Sequence, residues 1–129
     1  SLSAILMDDE YYQFLQTGKT MLNGIQIVGP EHLIPLKARA WIDLAQRKAE
    51  GGHVNTRDIK KHKLDVFRLM AIVDPEFNGD LPQQVKDDID AFINGMTDEN
   101  IDMKNVGLRG QKKEDILAEI ARIYLNKEG

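Results

Sequence analysis

The pattern of apolar and polar positions along the chain changes its period at Pro30: before it apolar residues come in short runs, after it they recur every three or four positions. Leu2 to Met7 is the first run. It ends at Asp8-Asp9 and predicts a buried strand leading into a helix N-terminus, where early acids suit the helix dipole. A helix over Asp9 to Gln16 follows, stopped by Thr17-Gly18. Ile25-Gln26-Ile27-Val28, between Gly24 and Gly29-Pro30, has the β-branched content and alternation of a second strand, and the two strands are expected to share one sheet. A sheet of two strands is marginal in water unless something covers it, so a covering partner is expected.

Beyond Pro30, the stripe Leu33, Leu36, Ala40, Trp41, Leu44 and Ala45 predicts a helix closed by Gly51-Gly52. Pro35 lacks the N–H that a second-turn residue donates, which places the regular start at Ile34. A second helix opens at Asn55 or Thr56, good capping residues. It carries Ile59, Val66, Phe67, Leu69, Met70 and Val73 on one side, and Asp74-Pro75 stops it. The short link between the two predicts an antiparallel hairpin. Asn78-Gly79 marks a turn, and Pro82 to Asn94 reads as a helix with Val85, Ile89, Phe92 and Ile93 inward and Gly95 as its C-cap. Residues 97 to 111 connect to a last helix, Lys112 to Lys127, burying Ile116, Leu117, Ile120, Ile123 and Tyr124. The fold class expected is therefore α+β and mostly α, a short two-stranded element followed by a bundle of about four helices. One domain over residues 1–129 divides into strand–helix–strand (1–29), helical hairpin (30–73) and C-terminal helices (80–129).

Composition narrows the chemistry. The 129 residues include no cysteine, which excludes disulfides and thiolate zinc sites, and the three histidines have no ligand spacing. No metal ligand set is expected in the chain. No apolar run approaches the roughly 20 residues that span a bilayer, and the start lacks the basic flank of a signal peptide; a cytoplasmic protein with no membrane partner is expected. The absence of an initiator methionine means either that Ser1 is an added residue or that a longer protein was cut, and a segment upstream is expected to be missing. Charge is uneven: nine Lys or Arg against four acids from Lys37 to Arg68, then nine acids against Lys86 alone from Asp74 to Asp102. Such a split means either a basic surface for phosphates or two segments that complement each other.

Several charged residues break the helical pattern. Lys37 falls on the apolar stripe between Leu33 and Trp41. Either its stem packs on Trp41 while the amine reaches water, or the amine is aimed into a cleft to meet a phosphate or an acidic group. His62 and Lys63 lie between Ile59 and Val66 in the same way, His62 being either a core histidine with one satisfied hydrogen bond or part of a site. Around them Arg57, Lys60, Lys61, Asp65 and Arg68 form a dense charged helix, which by default is a solvated face with i,i+4 pairs such as Lys61 with Asp65. Paired acids for two-metal chemistry were sought at Asp8-x-Glu10, Asp88-x-Asp90 and Asp98-Glu99. Asp88 and Asp90 diverge on a helix, while the acids from Asp8 to Glu10 sit at a strand end where a site can form, with helix capping as their default role. No Walker loop, G-x-G-x-x-G, G-x-S-x-G or H-E-x-x-H occurs.

The stretch Glu31-His-Leu-Ile-Pro-Leu-Lys37-Ala-Arg-Ala-Trp41-Ile-Asp-Leu, with Arg47-Lys48 and Asp58-Ile-Lys-Lys-His62-Lys-Leu-Asp65-Val-Phe-Arg-Leu69, resembles the AbiEii/AbiGii-like nucleotidyltransferase family of bacterial abortive-infection and toxin–antitoxin systems. That family belongs to the polymerase-beta-like superfamily, and the resemblance extends from Leu2 to the final helix. It implies a nucleotide- or phosphate-facing wall built from Lys37, Lys61, His62 and Asp65. Lys37 matches the family's lysine on the first helix; Lys61 and Asp65 match the basic residue and second aspartate of the next, while His62 stands where the first aspartate belongs. The superfamily's metal-binding Gly-Ser turn and Asp-x-Asp strand pair are not found together here, since the chain has no Gly-Ser. The resemblance thus implies the C-terminal part of a nucleotidyltransferase-like protein, with no catalytic residue of its own. Its missing N-terminal half would be the partner that supplies Mg and nucleoside triphosphate binding. The alternative is a helical interaction module that binds a protein partner, antitoxin-like, or a nucleic acid through the basic hairpin 37–68.

Overall fold

A computed structural model describes residues 2–127, the side chain of Ser3 aside. The chain is mostly helical, with one antiparallel two-stranded sheet near its start and four longer helices after it. The element order is α1 (Leu2–Ile5), α2 (Asp9–Thr17), β1 (Lys19–Leu22), β2 (Ile25–Val28), α3 (Pro30–Ala49), α4 (Thr56–Met70), α5 (Gln83–Gly95), a 3₁₀ turn (Met96–Asp98) and α6 (Lys113–Leu125).

The first run is not a strand. Leu2–Ile5 is a helical turn that buries Ile5; a short apolar run fits a helix face as well as a strand. Asp8 then caps α2, its Oδ1 accepting from the backbone N–H groups of Glu10 (2.9 Å) and Tyr11 (3.2 Å). The partner of Ile25–Val28 is instead Lys19–Leu22, in the register Lys19↔Val28, Thr20↔Ile27, Met21↔Gln26 and Leu22↔Ile25. Asn23 and Gly24 both take positive φ, 51° and 79°, as a tight primed turn between twisted strands requires.

Helix α3 lies between two apolar clusters. Ile34, Ala38 and Trp41 join α4, α5 and α6 around Phe67, Ile89, Phe92 and Ile120. Leu36 and Ala40 meet Ile5, Tyr11, Phe14, Leu15 and Val85 on another side. The helix starts at Pro30 rather than Ile34 because the lost bond is replaced: Pro35 cannot donate to the Glu31 carbonyl, and the Tyr124 hydroxyl of α6 donates to that oxygen instead at 2.6 Å. Burial raises the pKa of the Tyr124 hydroxyl, with the nearby Glu31 charge adding to it, so this donor keeps its proton.

Helix α4 ends at Met70, short of Asp74, and Val73 packs on the core from the following turn. Gly95 is no left-handed cap. It is the last residue of α5 at φ −67°, and a Cβ there would sit 2.7 Å from the Trp41 ring, so glycine answers a close approach. Carbonyls beyond it are gathered by Lys113, whose Nζ donates to the oxygens of Met96 (2.9 Å), which also accepts from the Glu99 N–H, Thr97 (3.1 Å) and Glu99 (2.9 Å). Helix α6 buries Ile116, Leu117, Ile120, Ile123 and Tyr124 as its spacing predicts. No described helix is long and apolar enough to cross a membrane.

Candidate functional site

The off-pattern residues of α3 and α4 meet where these helices pack. Lys37 Nζ lies 3.1 Å from Asp65 Oδ2, with the side chains only 16% and 19% exposed. The amine is therefore held by a carboxylate across the helix pair rather than released along Trp41 into water. The other Asp65 oxygen accepts from Arg68 at 3.1 Å, one turn on. Two cations thus share one carboxylate, and the cluster keeps a positive balance in a half-buried setting, where charge is screened less than on open surface.

His62 sits one turn before Asp65 and is buried, and its Nδ1 has no hydrogen-bond partner among the described residues. Burial lowers its pKa, the Lys37 charge lowers it further, and Asp65 and Asp58 oppose this only in part. At neutral pH this favours the uncharged ring in the folded chain. Lys61, by contrast, is exposed, and its charge is the least of those felt at His62. Lys37, His62 and Asp65 are brought together; Lys61 is not, since it stays exposed and the expected i,i+4 pair with Asp65 does not form, both carboxylate oxygens being taken by Lys37 and Arg68.

The depressed His62 pKa has a testable consequence. The unfolded chain takes up the proton first, so the stability contributed by a neutral His62 is complete above about pH 6.5 and is lost as pH falls below it. In urea titrations, the unfolding midpoint should drop more steeply from about pH 7 to pH 5 in the parent chain than in His62→Gln. His32, lowered in the same direction by burial, remains in both proteins and cancels. Parallel profiles would rule out a buried neutral His62.

A second polar cluster escaped the sequence reading. Asp88, on α5, is buried and accepts from the Tyr11 hydroxyl at 2.5 Å, from Arg39 Nη1 through both oxygens at 3.1 Å, and from Gln84 at 3.1 Å. Arg39 also pairs with Asp43 at 3.0 Å. The Tyr11 pKa is raised, first by burial and then by its hydrogen bond to Asp88, so the phenol stays protonated. A small cavity of about 160 Å³ lies beside this cluster, lined by Ala4, Ile5, Asp8, Tyr11, Arg39 and Asp43. The groups satisfy one another, so the arrangement is a clamp joining α2, α3 and α5. The signal was available: Asp88 falls on the Val85, Ile89, Phe92 stripe, just as Lys37 falls on that of α3.

Charge complementarity between the basic and acidic segments is real but incomplete. Arg39 with Asp88 and Lys63 with Glu99 (2.9 Å) link them. Arg57, Lys60 and Lys61 are exposed and have no ion-pair partner among the described residues. No group of three or more His, Asp or Glu among those residues is arranged to hold a metal ion. The carboxylate nearest the Lys37 cluster is already engaged by two cations, so a magnesium ion does not fit there. Comparison with family models, curated proteins and solved structures gives no match.

Proposed function

We propose that this chain is the C-terminal helical part of a nucleotidyltransferase-like protein and forms the wall that faces the nucleotide phosphates. The reading is carried by the Lys37–Asp65 pair, a half-buried amine positioned at 3.1 Å by a carboxylate on the neighbouring helix. Asp65 orients the amine between α3 and α4, Arg68 offsets the carboxylate's charge, and neutral His62 underneath adds no second negative charge where the family pattern has an aspartate. An arriving phosphate exchanges Asp65 for its own oxygens at Lys37 and Arg68, charge-assisted contacts in a partly desolvated setting. Magnesium and the acceptor-activating carboxylates belong, on this reading, to a separate N-terminal half, and the chain alone performs no transfer.

The test is a titration of ATP, without metal, into the isotopically labelled chain, followed by amide and side-chain NMR shifts. Shifts centred on Lys37, His62, Asp65 and Arg68 are expected at millimolar ATP, with Lys37→Ala weakening binding by about tenfold. Shifts confined to other residues, or binding indifferent to Lys37→Ala, would defeat the proposal. A second reading has its own observation: Arg57, Lys60 and Lys61 stand at i, i+3 and i+4 on one exposed face. A nucleic-acid-binding module built on that face would be retained on a DNA or RNA column with steep salt dependence, and retention would fall on substitution of Lys60 and Lys61 but not of Lys37.

A further inference from the structure

Among the described residues eight large apolar side chains are exposed, and seven of them lie between residues 6 and 27. The hairpin holds four: Met21 is 63% exposed, Leu22 58%, Ile25 65% and Ile27 41%. Its register sets Leu22 and Ile25, with Thr20 and Ile27, on one face, and Met21 with Gln26, Lys19 and Val28 on the other. Both faces therefore carry apolar groups into water, and neither strand is packed extensively on any helix. A lone two-stranded hairpin is marginal in this state. Its second strand, Ile-Gln-Ile-Val, also has none of the charges, prolines or bulges that protect an open edge.

Next to the hairpin's base is an apolar groove of about 370 Å³, lined mainly by Leu6, Tyr12, Leu15, Val28, Leu33 and Leu36. One molecule thus carries a protruding apolar tip and an apolar hollow. Two-fold symmetry lets each satisfy the other twice, since in an isologous contact residue i meets j and j meets i. We propose that two copies of this chain form a symmetric dimer by laying the Leu22/Ile25 tip of each hairpin into the groove of the other.

The areas agree with this. The seven exposed side chains offer on the order of 700 Å² per chain, more than the few hundred Å² of a monomer's usual single apolar patch and close to the roughly 800 Å² each partner gives to a standard interface. Charge does not oppose the approach: Lys19 is the only ionised residue from 19 to 28. The dimer is independent of the phosphate-facing reading, because tip and groove share no side chain with the Lys37–Asp65 cluster.

Sedimentation equilibrium of the chain over a range of concentrations tests the proposal. The parent should sediment as a dimer. Leu22→Thr/Ile25→Thr, at exposed strand positions that threonine suits, should raise the dimer dissociation constant by about a hundredfold, as should Tyr12→Glu in the groove wall. Ile72→Thr, at the exposed apolar residue outside this region, should change nothing. Mixing the tip variant with the groove variant should restore part of the dimer, because the heterodimer keeps one intact tip-in-groove contact while each homodimer keeps none. A parent that stays monomeric, a dimer indifferent to the tip substitutions, or a mixture that stays monomeric would each overturn the exchange.

Discussion

Asp88→Ala is expected to lower the free energy of unfolding by about 3 kcal/mol, the low end of the cost of removing one partner from a buried charge pair. The carboxylate is the acceptor for three side chains from three helices, Tyr11, Arg39 and Gln84. Its removal leaves the buried Tyr11 hydroxyl without a partner, and an unsatisfied buried group alone costs about 1–3 kcal/mol. Arg39, at 30% side-chain exposure, recovers water and keeps Asp43, which holds the total below the cost of stranding a fully buried charge. Asp43→Ala is the control. Its side chain is 35% exposed, so its loss should stay within about 1 kcal/mol, as for other surface pairs. Urea unfolding measures both, with the midpoint shifted and the slope unchanged. Equal losses for the two variants would refute the clamp.

The second large effect concerns a carbonyl. Tyr124→Phe removes the donor that Glu31's oxygen receives in place of the missing Pro35 N–H, and should cost about 1–3 kcal/mol. Pro35→Ala returns a backbone N–H at the right position. In that background Tyr124→Phe should cost markedly less, with a coupling between the two positions of about 1 kcal/mol or more. The double-mutant cycle separates this exchange of donors from the volume that each substitution removes. Strict additivity would show that the hydroxyl and the absent N–H do not compete for the same oxygen.

That pair also shows where sequence reading stops. The proline implies a delayed helix start, because the local rule knows only the lost bond; the compensating donor lies in α6, 93 positions from the Glu31 carbonyl it serves. Helices α4, α5 and α6 were legible because each buries one stripe, and α6 buries the five residues its spacing names. The opening run was read as a strand because four to six apolar residues carry no period of their own. Strand β1 was missed although Asn23-Gly24 announces a hairpin turn, since Lys-Thr-Met-Leu carries little β-branched signal. At the candidate site, Lys37 and His62 stand out as polar residues on inward faces, Asp65 enters with Lys61 by likeness of motif, and the structure gathers Lys37, His62 and Asp65 at one helix contact. Lys61 was included by likeness of motif, not by face, and it lies in solvent. Asp88 has the same inward position as Lys37, yet the sequence reading weighs it only as one half of a carboxylate pair with Asp90 for metal chemistry, and sets it aside when the pair diverges.

Helix α3 is enclosed by an apolar cluster on each of two sides. Rolling the rod about its long axis to relieve one side would push the other into water, so it has a single permitted azimuth. Lys37 inherits that azimuth: its stem leaves the rod along a heading fixed by hydrocarbon on either flank, so the core, and not the ion pair, aims its ammonium.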